Sequence, residues 1–230
     1  MGYLFAIEGI DGSGKQTQVD LLYNRLTAEG RNPLRLSFPD YESDSSALVK
    51  LYLQGAFGQN ANDVDPKVAS ACYALDRYAS YKMHWQTEYE HGRVILADRY
   101  TPSNMIHQAA KIADSRQRAA YLRWITDFEY QVCKIPEPRS VIFLDMPPEY
   151  SSRLTADRKN KATGQQQKDI HESNRRYLLQ CYEMAKELAC KYNWNVISCV
   201  VRHEIRPIQE IAQDVYQCVM QCLNSDTEQG

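Results

Sequence analysis

The sequence lacks the features expected of secreted and membrane proteins. No basic segment precedes the short apolar run at residues 3–7, so we predict no secretory signal. No stretch is long and apolar enough to span a bilayer. The seven cysteines are scattered, odd in number and without a C-x-x-C pair, which predicts reduced thiols rather than disulfides or a zinc site. Together these absences predict a cytoplasmic protein.

The sequence also lacks an excess of charge of either sign. The formal net charge is −2, which favours neither nucleic acid nor an acidic membrane as a partner. An anionic ligand would therefore need a local cluster of donors. No segment resembles a linker, so we predict one domain over residues 1–224 followed by a polar tail at 225–230.

Short apolar runs alternate with longer amphipathic segments along the chain. This alternation is typical of βαβ units around a parallel sheet. We predict an α/β fold with three layers, in which helices flank a central parallel sheet of about five strands. The predicted strands cover residues 4–8, 34–38, 94–98, 141–145 and 195–199; the predicted helices cover 14–28, 45–54, 66–91, 103–132 in two pieces, 148–156, 170–192 and 206–223.

A glycine-rich segment between the first predicted strand and helix has the pattern of a phosphate-binding loop (P-loop). Glycines let successive backbone N–H groups point into one cavity, the helix N-terminus adds its positive dipole end, and the lysine reaches terminal phosphates. The residues predicted to bind the phosphates of a nucleotide are Gly9, Ile10, Asp11, Gly12, Ser13, Gly14, Lys15, Gln16 and Thr17.

The residue after the P-loop lysine departs from the usual pattern. Ser or Thr, whose hydroxyl binds Mg²⁺, normally stands there, whereas this chain has Gln16 followed by Thr17. An amide oxygen can also ligate Mg²⁺ directly or through water. The sequence leaves open which of the two side chains serves the metal.

These segments, in their order and spacing, resemble the thymidylate kinase family of P-loop nucleoside monophosphate kinases. The resemblance extends from Phe5 to about Met220. Its motifs are the residues at 8–15, Phe38-Pro39, Asp76-Arg77, Asp98-Arg99-Tyr100 with Ser103, and the segment 144–149. It implies transfer of a phosphoryl group from ATP, with Mg²⁺, to dTMP, and it implies a homodimer.

The resemblance assigns the acceptor phosphate to the end of the third strand. Arg99 is expected to bind this phosphate, because a planar guanidinium can donate two parallel hydrogen bonds to two phosphate oxygens. Asp98 is expected near Mg²⁺ or its waters, in preference to Asp145, the other aspartate at a strand end. Asp11 is expected near the 3′-hydroxyl and phosphate of the acceptor.

The resemblance also assigns residues to the base and sugar. Tyr73 is expected to stack on thymine and Arg77, one helical turn later, to donate to a base carbonyl. Asn104 is expected at the base edge and Phe38 in the same pocket. His107 stands where relatives often carry Tyr or Phe, so it could fill the space beside the sugar or bind a ribose 2′-hydroxyl.

A polar, basic segment resembles the lid of the family and is predicted at about residues 153–170. Some members of the family carry a catalytic arginine in the P-loop and others in the lid; position 12 here is glycine, so the chain resembles the second kind and the resemblance implies a lid arginine. Arg153 and Arg158 are the candidates, and the choice between them stays open; Lys159 and Lys161 are auxiliaries. Asp40 and Tyr41 occupy the region where many relatives have an arginine for the acceptor phosphate.

Three other functions stay open at this point. A GTPase is suggested only by residues 160–163, which lie in a polar loop instead of following a buried strand. A deoxynucleoside kinase of the same fold would need a carboxylate base, for which Asp40 is available. The third alternative is a nucleotide-binding protein with little catalysis that tolerates Gln16.

Overall fold

The computed structural model describes residues 2–155 and 175–225. The strands are β1 (Tyr3–Glu8), β2 (Leu34–Ser37), β3 (Val94–Asp98), β4 (Ser140–Asp145), β5 (Asn195–Ser198), β6 (Val200–Val201) and β7 (Glu204–Ile205). The helices are α1 (Lys15–Ala28), α2 (Ala47–Leu53), α3 (Pro66–Ser80), α4 (Gln86–Glu90), α5 (Thr101–Ala109), α6 (Ser115–Thr126), α7 (Pro148–Thr155), α8 (Arg175–Lys191) and α9 (Ile208–Ser225).

Five strands form the predicted parallel sheet, in the order β2-β3-β1-β4-β5. The predicted α/β fold is confirmed. The antiparallel pair of β6 and β7 was not predicted, because each strand has only two residues. β1 is central, and the register places Ile7 beside Asp98. The loops that follow β1 and β3 therefore lie side by side at the carboxyl edge, where open α/β sheets bind ligands.

Two layers of helices cover the sheet. Helices α1 and α9 pack on one face, and α5 and α8 pack on the other. Residues 4–7 of β1 are 0% exposed, which explains why this strand is a continuous apolar run. A smaller cluster between α2 and α3 includes Val49, Tyr52 and Ala69 and supports one wall of the cleft described below.

Two helices continue into π-helical turns. Residues Tyr81–Trp85 follow α3 directly, and residues Asp127–Val132 follow α6. Such turns insert an extra residue into the helical repeat and rotate the side chains that follow it. The second turn contains Glu129, which is completely buried.

We predict that the packing of α8 on the sheet is a main contribution to stability. Leu188 of α8 is 0% exposed, so Leu188→Ala should lower the free energy of unfolding by about 2–5 kcal/mol. Leu179, on the same helix but 50% exposed, is the matched control, and Leu179→Ala should change it by less than about 0.5 kcal/mol. Urea denaturation measures both values, and equal losses would contradict this packing.

Candidate functional site

The P-loop joins the end of β1 to the start of α1. Gly12 and Gly14 adopt positive φ angles of 80° and 88°, which glycine tolerates without strain. A Cβ on Gly9 would lie 2.5 Å from Ser13 Oγ and 3.1 Å from Leu144 O. Ser13 Oγ is buried and has no hydrogen-bond partner within the described residues. A phosphate oxygen would satisfy this hydroxyl, so the loop fits the polyphosphate of ATP.

Lys15 is folded back onto the loop that precedes it. Its ammonium group donates to Gly9 O at 3.0 Å and to Ile10 O at 2.9 Å. Burial and the neighbouring cation Arg99 lower the pKa of Lys15 to about 8, against the opposing effect of Asp11, Asp98 and Glu8. Phosphate oxygens would offer better acceptors than two carbonyls, and Lys15 lies where it can exchange one set for the other.

Arg99 occupies a strained position directly after β3. Its φ angle is 71°, in the left-handed region that non-glycine residues rarely adopt, and its N–H donates to Ile7 O at 3.1 Å. The buried carboxylate of Glu8 accepts from the next N–H, that of Tyr100, at 2.8 Å and from Ser103 Oγ at 2.6 Å. These bonds hold the turn in a conformation that costs energy, as is common at functional sites.

The Arg99 guanidinium is held above this turn by three side chains, one from the P-loop and two from α5. It forms an ion pair with Asp11 and donates to Ser103 Oγ at 3.2 Å and to His107 Nε2 at 3.3 Å. Burial alone would lower the pKa of Arg99, but the facing carboxylates of Asp11 and Glu8 raise it. The arginine is therefore a fixed cation beside the P-loop.

An open cleft of about 540 Å³, solvent at its mouth included, begins at Arg99 and extends between α3 and α5. All the residues predicted to bind the acceptor line it, and several others do as well. Its lining residues are Asp11, Phe38, Pro39, Tyr41, Leu53, Tyr73, Arg77, Arg99, Ser103, Asn104, His107 and Gln108.

The far end of the cleft contains a buried network of polar side chains. Arg77, 1% exposed, donates from Nε and Nη2 to the two oxygens of Glu129, both at 2.7 Å. Asn104 Nδ2 donates to Glu129 at 3.1 Å and to Ser70 O at 3.2 Å. Burial would lower the pKa of Arg77, but the facing Glu129 carboxylate raises it. Sequence reasoning did not identify Glu129, because it lies far along the chain from every motif.

Gln108 is a second residue of the cleft that sequence reasoning missed. It is 0% exposed, and neither its Nε2 nor its Oε1 has a hydrogen-bond partner among residues 2–155 and 175–225. An unpaired buried amide is costly unless a ligand completes its bonds. Its position four residues after Asn104 on α5, on the same helix face, was the available signal.

His107 is a neutral acceptor at the side of the cleft. Because Arg99 donates to Nε2, the proton of the neutral ring is on Nδ1, which faces Cys181 Sγ at 3.5 Å. Tyr177 of α8 donates to His107 O at 2.8 Å. Burial, followed by the charge of Arg99, lowers the pKa of His107 to about 3. Helix α8 thus fixes the ring against the cleft.

The residues predicted to bind Mg²⁺ lie at the P-loop end of the site. Asp98 is buried at the end of β3, whereas Gln16 and Thr17 are exposed in the first turn of α1. Within the described ranges, no group of three or more His, Cys, Asp or Glu side chains could hold a metal by itself. One carboxylate beside a polyphosphate is the kind of set that Mg²⁺ uses, since it keeps several waters.

Two other aspartates have structural partners. Asp145 accepts a hydrogen bond from Tyr182 Oη at 2.7 Å. The backbone N–H of Asp40 donates to Asp76 at 2.9 Å, and the Asp40 side chain is not part of the cleft lining. Neither observation favours these residues over Asp98 and Asp11 for direct roles.

The predicted lid lies largely outside the described residues. Arg153 lies near the end of the first described range as an exposed residue of α7, with its guanidinium 5.4 Å from the centre of the Tyr150 ring. Arg158, Lys159, Lys161 and the segment 160–163 fall outside the described ranges. The catalytic roles of Arg153 and Arg158 stay predictions.

We predict that burial of neutral His107 makes the protein sensitive to acid. The folded-state pKa of about 3 lies below the ordinary 6.5, so the unfolded chain binds the proton first and stability falls as pH drops below 6.5. Between pH 7 and 5 this group should cost about 2 kcal/mol. His107→Gln should remove that part of the loss, whereas exposed His91→Gln should not; equal losses in both variants, measured by urea denaturation, would contradict the assignment.

No helix in the described part of the chain combines the length and the apolar character needed to cross a membrane.

The chain is similar in sequence to known proteins. It is 29% identical over 163 residues to a thymidylate kinase of Mycobacterium tuberculosis, covering 70% of this chain and 74% of the relative. It is 28% identical over 187 residues to a probable thymidylate kinase of Pyrococcus abyssi, covering 81% and 86%.

The fold is also similar to a solved structure. A thymidylate kinase from Candida albicans superposes with a TM-score of 0.72 at 19% identity, covering 97% of this chain and 93% of that one. The sequence model of the thymidylate kinase family matches residues 7–202. The predicted resemblance is confirmed, and the chain belongs to the thymidylate kinase family.

Proposed function

We propose that the reaction of this family, phosphorylation of dTMP to dTDP by ATP, takes place here between the P-loop and the cleft. The single observation that carries the proposal is the position of Arg99. Its guanidinium stands at the junction of the two sites, paired with Asp11 of the P-loop and open to the cleft. ATP lies on residues 9–17 in this arrangement, with Lys15 on its terminal phosphates.

The acceptor phosphate is expected on Arg99. The guanidinium keeps hydrogen bonds to Ser103 and His107 that orient it, and its paired donors match two phosphate oxygens. Asp11 faces the same region and would bind the sugar 3′-hydroxyl through its carboxylate. Tyr41 lines the cleft near Arg99 and offers a hydroxyl where relatives often have an arginine.

The base is expected at the other end of the cleft. Tyr73 and Phe38 provide apolar walls for its ring, and Phe38 is itself packed on Tyr100 at 5.9 Å between ring centres. Arg77 has Nη1 left for a base carbonyl, because Nε and Nη2 are bound to Glu129. The unpaired amide of Gln108 supplies further donors and an acceptor inside the same pocket.

The chemistry requires positioning and charge neutralisation more than a strong base. The acceptor phosphate is already anionic at neutral pH, and holding it in line with the terminal phosphate of ATP converts the reaction to an intramolecular one. Lys15 and Arg99 place two cations on either side of the transferred group. Mg²⁺, when bound near Asp98 and Gln16 or Thr17, would neutralise charge on the ATP phosphates. Arg153 or Arg158 would add a further positive charge from the lid.

The sugar is expected beside His107. The neutral ring fills part of the space in which a ribose 2′-hydroxyl would lie, and both ring nitrogens already face protein groups. This occupancy favours deoxyribose, because an additional hydroxyl would gain no partner from the ring without displacing Arg99 or Cys181.

A deoxynucleoside kinase is the second candidate, and the structure disfavours it. That reaction needs a carboxylate to remove a proton from an uncharged sugar hydroxyl. Asp40, the residue available in the sequence, is absent from the described lining of the cleft, and the Asp11 carboxylate is paired with Arg99. A fixed arginine at this point favours an acceptor that carries a phosphate.

Homodimer formation and cytoplasmic location are part of the same proposal. Apolar side chains of α2 and α3 are exposed, among them Leu48 and Leu51 at 47% and 42% and Val68 at 56%, and a second copy could cover them. All seven cysteines are free thiols, as suits a reducing compartment.

The decisive experiment is to measure ADP production from ATP and Mg²⁺ with dTMP, dUMP, UMP, dCMP, dGMP and thymidine as separate acceptors. We expect fast turnover with dTMP, slower turnover with dUMP, and little with the others. Turnover with thymidine alone would establish a nucleoside kinase. No turnover with any acceptor would leave a nucleotide-binding protein.

We predict that Lys15→Ala nearly abolishes transfer while the fold persists. The ammonium group bonds only to carbonyls of its own loop among the described residues, so its removal costs little stability. Loss of a cation on the transferred phosphoryl should lower kcat at least about 100-fold. Exposed Lys191→Ala is the matched control and should keep wild-type kcat. A Lys15→Ala variant with kcat within threefold of wild type would contradict the role of the P-loop.

A further inference from the structure

Glu129 is a buried charge that no part of the proposed reaction uses directly. It is 0% exposed and comes from the π-helical turn after α6, which aims its side chain towards the cleft. The turn is closed by the Cys133 N–H, which donates to Phe128 O five residues earlier at 2.9 Å. Burying a carboxylate in such a position costs folding free energy unless its oxygens accept hydrogen bonds from surrounding donors.

Four hydrogen bonds satisfy this carboxylate, and three of them come from residues of the cleft. One oxygen accepts from Arg77 Nη2 and Asn104 Nδ2; the other accepts from Arg77 Nε and, at 2.8 Å, from Thr101 Oγ1. A carboxylate only accepts hydrogen bonds. Each group that faces Glu129 must therefore be a donor.

This requirement fixes the orientation of the Asn104 amide. Both hydrogens of Nδ2 are used, one by Glu129 and one by Ser70 O, which also can only accept. The amide oxygen is then left as the group that Asn104 offers to a ligand in the cleft. A flipped amide would place its oxygen against two acceptors, which is strongly unfavourable.

The same carboxylate fixes which donor Arg77 offers. With Nε and Nη2 paired to Glu129, the planar guanidinium has one orientation and presents Nη1 to the cleft. The base end of the cleft thus offers a donor from Arg77 and an acceptor from Asn104. Thymine and uracil present the complementary pair, a carbonyl at position 4 and an N–H at position 3, whereas cytosine presents the reverse pair.

We propose that Glu129 is a positioning residue that sets the donor and acceptor pattern of the cleft and thereby selects thymine or uracil against cytosine. The inference rests on the proposed function, since it requires the acceptor base to lie between Arg77 and Asn104. Glu129 touches no substrate and acts through these two residues.

Glu129→Gln tests this role with little change of shape. The new amide group brings a donor against donors of Arg77 and Asn104, so one of the two must reorient. We expect the ratio of kcat/KM for dTMP to that for dCMP to fall at least about tenfold, mainly through KM, with kcat at saturating dTMP within about threefold of wild type. Glu129→Asp, which keeps an acceptor-only group, should return the ratio towards the wild-type value.

Exposed Glu137→Gln is the matched control and should leave the ratio unchanged. A merely structural role would lower turnover of both acceptors in proportion, so an unchanged ratio in folded Glu129→Gln would overturn the inference while the proposed function stands. Failure of wild type to phosphorylate dTMP would instead overturn the proposed function, and this inference with it.

A measurement on the wild-type protein covers the case in which Glu129→Gln does not fold. Methylation of dTMP at N3 removes the hydrogen that the Asn104 oxygen would accept. We expect the KM of N3-methyl-dTMP to be at least about tenfold higher than that of dTMP. Equal KM values for the two nucleotides would overturn the assignment of Asn104 as an acceptor fixed by Glu129.

Discussion

The need to pair a half-buried arginine determines how the carboxyl edge of the sheet is built. Arg99 follows β3 with a left-handed backbone, and its cation is acceptable only because Asp11 and Glu8 lie opposite it. Both carboxylates come from the end of β1 and the loop after it. The adjacency of β1 and β3 in the sheet is therefore a requirement of the site as well as of the core.

A second pairing of the same kind organises the base end of the cleft. Arg77 and Glu129 are 52 residues apart in the chain, and their paired side chains are both buried. Breaking such a pair leaves an unpaired buried charge, which costs about 3–5 kcal/mol. The side chains that pair with Glu129 are therefore held in one geometry. A rigid donor and acceptor can discriminate between bases, because a wrong base leaves them unpaired.

Sequence patterns predicted the sheet and the P-loop, because those features depend on neighbours in the chain, whereas the residues predicted for the cleft were implied by the family resemblance. The apolar runs ending at Glu8 and Asp98 are strands buried on both faces, and Tyr73 and Arg77 share a helix face by their spacing. Glu129 could not be predicted, because its position depends on a π-helical turn and on contacts distant in sequence. Gln108 was missed although it lies on the same face as Asn104, because an unpaired amide becomes visible only when its burial is known.

The most direct test of this account is a crystal structure of the protein with dTMP and a non-hydrolysable ATP analogue. The account predicts that the acceptor phosphate lies on Arg99, the triphosphate on residues 9–17, and the base edge within about 3.2 Å of Arg77 Nη1 and Asn104 Oδ1. A dTMP molecule bound with its base outside the cleft, or with its phosphate away from Arg99, would contradict it.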